Sequence, residues 1–199
     1  MDRIPLFPLS NGLFSDGMLR LHIFEVRYLD MIRRCDKEGT PFGVVGIAQG
    51  REVQVLGESV TLHKVGTLAH IMELTALQPA LLQVVCKGSS RFALESYELG
   101  PYGVWYGATS AVPQDDAIAI PAELQPMANY LGKWIARNQK QGVAHELPIF
   151  TPYRLDECGW VANRWAEMLP INPDAKHQLL VERDPLQRLR MASQYVDFE

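Results

Sequence analysis

The sequence predicts an α+β protein, a β-barrel with one embedded helix followed by a C-terminal helical bundle, and three observations predict it. From Ile4 to Val112 the segments are short, rich in Val, Ile, Leu and aromatic residues, and punctuated by Asn11-Gly12, Asp16-Gly17, Gly39, Gly50, Gly57, Gly66, Gly88 and Gly100, the spacing of turn-linked strands. A single amphipathic stripe, Phe24, Tyr28, Met31, Ile32 and Cys35, interrupts them. Near residue 115 the local pattern changes to one of helical spacing, so the chain divides into a barrel subdomain, 1–115, and a helical subdomain, 116–199.

Each element has its own signal. In Leu19-Arg20-Leu21-His22-Ile23 the alternation is strict, which makes a strand with Leu19, Leu21 and Ile23 facing the core. The stripe from Phe24 to Cys35 then makes a helix, with Gly39 just past its end as a stop. Further strands are expected at Phe42 to Ala48, Glu52 to Leu56, Val65 to Leu74, Ala80 to Cys86, Arg91 to Tyr97 and Val104 to Val112. About seven strands hide their edges best by closing into a barrel. After the polar connector Val112-Pro113-Gln114-Asp115-Asp116, the residues Leu124, Met127, Leu131, Trp134 and Ile135 share one face of a helix starting at Pro121 and fading by Gln141. A second helix follows Asp156 as N-cap, with Val161, Trp165 and Met168 inward. Asn172-Pro173 and Asp184-Pro185 each set a capping side chain before a proline, which predicts two short helices.

Composition narrows the function. The chain is 199 residues long, 47% hydrophobic and 21% charged, with a formal net charge of −4. That charge argues against a broad phosphate-binding surface, because nucleic-acid affinity comes mainly from Lys and Arg neutralising phosphates. The three cysteines Cys35, Cys86 and Cys158 are widely spaced and form no CxxC pair, so reduced, buried thiols are expected. The N-terminal MDRIPLFPLS has too short an apolar run for a secretory leader, and no stretch reaches the roughly 18 apolar residues of a membrane helix. A cytoplasmic protein without a membrane partner is expected.

Pro5-Leu6-Phe7-Pro8-Leu9 and, after it, Leu21-His22-Ile23-Phe24-Glu25-Val26-Arg27-Tyr28 resemble the N-terminal domain of the Lon protease family. The resemblance continues through Met31, Phe42-Gly43-Val44-Val45, Val65-Gly66-Thr67-Leu68-Ala69-His70-Ile71, Gly88, Arg91-Phe92 and Pro101-Tyr102. Gln178-Leu179-Leu180 with Asp184, Arg188 and Leu189 is similar to that family's helical tail. The resemblance implies a PUA-like barrel followed by helices, serving as a surface that holds partly unfolded or tagged polypeptides, alone or beside a protease or chaperone partner. One turn departs from it: where the family often has Asp-Gly-Arg, this chain has Leu77-Gln78-Pro79-Ala80. The 199 residues contain no GxxxxGK[ST] phosphate loop and nothing that resembles the protease domain with its Ser and Lys pair. No catalysis, cofactor or metal is therefore expected.

A polypeptide-binding surface needs exposed apolar anchors. The candidates are Phe14, in a loop too short for a core of its own, and Tyr102, Trp105 and Tyr106 on one late strand, where alternation sends Trp105 to the face opposite Tyr102 and Tyr106. Trp134, Trp160 and Trp165 read as helix packing anchors, Trp160 lying off the stripe and so a candidate for exposure.

Other chemistries lack a complete set of residues. His22, Glu25 and Arg27 could form a polar site, but a strand turning into a helix also needs a carboxylate at the positive helix end and a partner for Arg27, and this structural reading is favoured. His63, His70, His145 and His177 are scattered without metal-ligand spacing. Gly88-Ser89-Ser90-Arg91 lacks the G-x-S-x-G elbow and reads as a hairpin loop, while Cys35 and Cys86 lie on apolar faces. The alternative function is RNA binding by a PUA-like protein, for which Arg33, Arg34 and Lys37 are the basic residues; Asp30, Asp36 and Glu38 interrupt them. A small hydrolase with a divided active site is a third class.

Overall fold

The computed structural model describes residues 2–51, 60–143 and 147–197. Two compact units appear, residues 1–113 and 114–199. In the first, six strands are described, β1 (Asp2–Leu9), β2 (Met18–Ile23), β3 (Phe42–Gln49), β4 (Thr61–Gln78), β5 (Leu81–Leu99) and β6 (Trp105–Ala111), together with helix α1 (Val26–Glu38). They form one mixed sheet in the order β2-β5-β4-β3-β1-β6, and β6 also pairs with β5. The ladder β5-β4-β3-β1-β6 thus returns to β5. All these pairs are antiparallel except β1 with β3.

The 19 residues of β5 make that return possible. Its first part pairs with β2, Leu82 opposite Ile23, and its second part with β6, Phe92 opposite Ala111. The segment Gly88-Ser89-Ser90 lies between the two, inside the strand, and is not the hairpin loop its composition suggests. Likewise the strands expected at Ala80–Cys86 and Arg91–Tyr97 are one element. Gly88 abuts the loop 11–17: its N–H donates to Gly17 O at 2.9 Å, its carbonyl accepts from Asp16 N at 2.9 Å, and a Cβ on it would lie 2.1 Å from the Phe14 carbonyl oxygen. Only a residue without a side chain fits there. The strand expected at Glu52–Leu56 lies outside the described residues.

Two apolar clusters fill this unit. Tyr28, Leu29, Met31, Ile32 and Cys35 of α1 pack with Phe7, Phe42, Val84 and Cys86, while Leu6, Val45, Leu62, Phe92 and Leu94 form the second. Each such side chain contributes roughly 1.5–3 kcal/mol when fully buried. Helix α1 begins after Glu25 and ends at Gly39, whose φ of 63° is the left-handed conformation that glycine adopts without a Cβ penalty. Phe24 precedes the helix and is 64% exposed, so it stands outside the buried stripe on which its spacing had placed it.

The second unit is helical: α2 (Gln125–Lys140), α3 (Cys158–Met168), α4 (Pro173–Val181) and α5 (Pro185–Ser193). Pro121 opens a 3₁₀ turn, Ala122–Leu124, and α2 starts only at Gln125. Met127, Leu131 and Ile135 are buried as their spacing requires, while Trp134 sits at the edge of that face. Helix α3 begins at Cys158 with Glu157 before it, so Asp156 is not its cap. Trp160 is buried, against the expectation from the stripe, because α3 is covered on nearly every side. The two Asx-Pro signals hold: Asn172 Oδ1 accepts from Ala175 N at 2.7 Å and Asp184 Oδ1 from Leu186 N at 2.9 Å. Arg188 of α5 is the polar hub of the unit. Its Nε donates to Leu179 O at 3.1 Å, Nη1 to Asn163 Oδ1 at 3.1 Å, and Nη2 to Asp115 Oδ1 at 3.0 Å, with further bonds to Asp115 Oδ2 and Glu182 O.

Candidate functional site

The four aromatic candidates meet four different fates. Phe14 is buried and offers no anchor, because the loop 11–17 borrows the sheet's core: Thr67 Oγ1 donates to Leu13 O at 2.6 Å, and the missing Cβ of Gly88 lets the loop close down. Trp105 is half-buried against the second apolar cluster, its ring edge-on to Tyr97 at 5.6 Å. Tyr106 lies on the opposite face, as alternation requires, and packs against the first cluster. Its hydroxyl accepts from Arg34 Nη2 at 2.8 Å and its ring lies 5.2 Å below the Arg3 guanidinium. Tyr102 is not on the strand; it occupies a 3₁₀ turn, Pro101–Gly103, and is 94% exposed.

Tyr102 has φ of 60°, a left-handed conformation that is unfavourable for a bulky side chain. The turn is tied to α1 by Arg27, whose Nη1 donates to Gly103 O at 3.2 Å. Arg27 is itself fixed by Glu25, Nη2 to Oε2 at 2.8 Å, and by the face of Tyr28. The Glu25–Arg27 pair is thus structural, as the sequence favours. Val26, 74% exposed, and Tyr102 each lie one residue from the same hydrogen bond, and Phe24 stands two residues before Val26. Arg27 thus links the turn that bears Tyr102 to the start of α1, where Val26 is exposed. Sequence reasoning misses Phe24 and Val26 alike: the spacing places Phe24 on the buried helical stripe, and Val26, between Glu25 and Arg27, is assigned no role.

A cleft of about 560 Å³ opens in the same unit. Arg3, Arg34 and Arg91 line it, with Ile4, Leu68 and Phe92 as its apolar wall. Glu38 is the carboxylate among its lining residues. Arg91 is buried, whereas Arg3 is exposed and paired with Glu98. The hydrogen bond to the Tyr106 hydroxyl raises the Arg34 pKa further above its ordinary value. Of the three arginines only Arg34 belongs to the basic run noted in the sequence; Arg3 and Arg91 are brought to it by β1 and β5.

Among the described residues no group of three or more His, Cys, Asp or Glu could hold a metal ion. Burial raises the pKa of all three thiols, that of Cys86 to about 12. A thiol so placed stays protonated and is a poor nucleophile. No described helix is long and apolar enough to cross a membrane.

Comparison with known proteins places this geometry in a family. A Lon protease of Brucella melitensis is 22% identical over 139 residues, and that of Brucella suis likewise; the alignment takes in 69% of this chain and 17% of theirs, so the chain spans only a small part of these relatives. A solved Lon N-terminal domain protein from Xanthomonas campestris superposes with a TM-score of 0.78 at 26% identity, covering 99% of this chain and 100% of that one. The N-terminal domain of the Lon protease of Mycobacterium avium complex has the same fold, with a TM-score of 0.61 at 14% identity over 98% of this chain and 97% of that one. The family model for the substrate-binding domain of ATP-dependent protease La (LON) matches residues 3–197, and the chain belongs to that family.

Proposed function

We propose that this protein holds partly unfolded or tagged polypeptides without chemical turnover. The observation that carries the reading is the exposure of Phe24, Val26 and Tyr102, the last on a turn that Arg27 ties to the start of α1. Tyr102 decides its weight. An aromatic ring left in solvent on a left-handed backbone gains no packing to offset its strain, and such placements concentrate where a ligand supplies the contact. Membership of a substrate-binding family and the lack of a phosphate-loop motif in the 199 residues support the same reading. The binding would take place in the cytoplasm, with a protease or chaperone as the downstream partner.

The first unit is read as a PUA-like β-barrel subdomain, 1–115, because its ladder returns to β5, and the rest as a helical bundle subdomain, 116–199. The division after Pro113 assigns Gln114 and Asp115 to the second unit. RNA binding is the weaker reading, since the formal net charge of −4 runs against a broad phosphate-binding surface.

Binding to immobilised arrays of overlapping peptides from a denatured protein tests the proposal. Retention of apolar peptides is expected, with loss in a Val26→Ser, Tyr102→Asn double variant. Asn accepts the left-handed backbone more readily than Tyr, so this variant should fold normally. No retention by the wild type, or unchanged retention by the variant, would refute the assignment.

A further inference from the structure

We infer that the cleft lined by Arg3, Arg34 and Arg91 receives the C-terminal residue of a bound polypeptide. The inference rests on the polypeptide-holding reading and names the part of the substrate that this cleft recognises. Its volume of about 560 Å³ suits one or two residues of a peptide and not a folded surface. Its chemistry is mixed in a specific way. Three guanidinium groups call for an anion, and Ile4, Leu68 and Phe92 call for an apolar group within a few ångströms of it. An Asp or Glu side chain carries the anion alone. A C-terminal residue such as Leu or Phe carries carboxylate and apolar side chain on the same Cα, which is what the cleft complements.

The donors are placed for this. A guanidinium has five N–H groups, and the single bond from Arg34 to the Tyr106 hydroxyl leaves others to a ligand while fixing the direction of the side chain. Arg3 is steered by the Tyr106 ring and by Glu98, an exposed pair that an incoming carboxylate can displace at little cost. Arg91 is buried in the wall and has an interaction of its own, so Arg34 and Arg3 are the donors that meet the carboxylate. Glu38, Glu95, whose Oε1 accepts from Ser110 Oγ at 2.6 Å, and Glu98 on Arg3 set three carboxylates against the three arginines, so a bound carboxylate takes the place of Glu98 on Arg3.

The test uses fluorescent decapeptides of one apolar sequence ending in Leu, as the free acid and as the amide, measured by anisotropy with the intact protein. The free acid should bind at least about tenfold more tightly, the usual effect of charge-assisted hydrogen bonds, and should lose that advantage as salt is raised. Arg34→Gln should abolish the difference, as should Arg3→Gln; both side chains are exposed, so neither change endangers folding. Arg33→Gln, next along α1 and outside the cleft, should leave it intact. Equal binding of acid and amide would overturn this inference while leaving polypeptide binding in place. Binding of neither would remove both. Preference for a 5′-phosphorylated oligoribonucleotide over the peptide acid would also overturn it, by assigning the arginines to phosphate.

Discussion

Replacing Arg188 by Met isolates the polar hub of the helical unit. Methionine preserves most of the apolar stem and removes the guanidinium, so the change measures the charge and its bonds. Five bonds disappear together: two to Asp115 and one each to Asn163, Leu179 O and Glu182 O. The guanidinium is 1% exposed and the Asp115 side chain 19%, so water restores little of what is lost. Breaking such a buried pair costs about 3–5 kcal/mol, because the remaining carboxylate is left in a poorly solvated place. Domains of this size are stable by roughly 4–13 kcal/mol, so a large share of the stability of residues 114–199 is at stake. Trp134, Trp160 and Trp165 all lie in this unit, which makes tryptophan fluorescence during urea unfolding the appropriate assay. A double variant with Asp115→Asn should recover part of the loss, since it removes the stranded charge. A loss under about 1 kcal/mol in Arg188→Met, or strict additivity with Asp115→Asn, would show that the hub is not stabilising as described.

The other predictions concern separate features. Gly88→Ala places a Cβ against the Phe14 carbonyl and should cost at least about 2 kcal/mol by urea unfolding, with solvent exposure of the loop 11–17 shown by faster amide exchange at Asp16. Asn172→Ala and Asp184→Ala should each cost about 1 kcal/mol, the worth of a helix N-cap side chain. Burial raises the Cys86 pKa from 9.0 to about 12, so the folded state holds the thiol proton more tightly than the unfolded state. Its contribution is therefore fully present below about pH 9 and is lost as pH rises toward 12. Cys86→Ala should flatten that part of the stability curve, and iodoacetamide at pH 8 should modify Cys86 only after unfolding.

Local chemistry that is complete within a few residues was legible in the sequence. The Gly39 stop, the Asx-Pro caps, the strict alternation of Leu19 to Ile23 and the opposite faces of Trp105 and Tyr106 need no distant partner to be read. What depended on distant partners was not. Phe14 looked exposed because its loop has no core of its own, yet Gly88, some seventy residues on, supplies the recess. Conversely Gly88-Ser89-Ser90 looked like a turn because glycine has two uses, conformational freedom and close approach, and only the fold shows which applies. Phe24 fits a helical spacing that the chain does not adopt until Val26. Of the candidate site, the sequence singles out Tyr102 as an aromatic anchor, but on a strand and not on the turn where it lies. The cleft was not, since its arginines stand at positions 3, 34 and 91 and each alone resembles an ordinary surface cation.

The place of β1 in the ladder sets an order on assembly. Its neighbours are β3, beginning at Phe42, and β6, beginning at Trp105, so β1 must wait through about a hundred residues of synthesis before its second flank is covered. Until then Ile4 and Leu6 present an open strand edge to any passing chain. The pairs of β4 with β5 lie at most 28 residues apart, Val65 opposite Ala93, whereas joining β6 to β1 closes a loop of about a hundred residues and carries the larger closure entropy. An edge uncovered for so long is one that another chain can pair with before the sheet is complete.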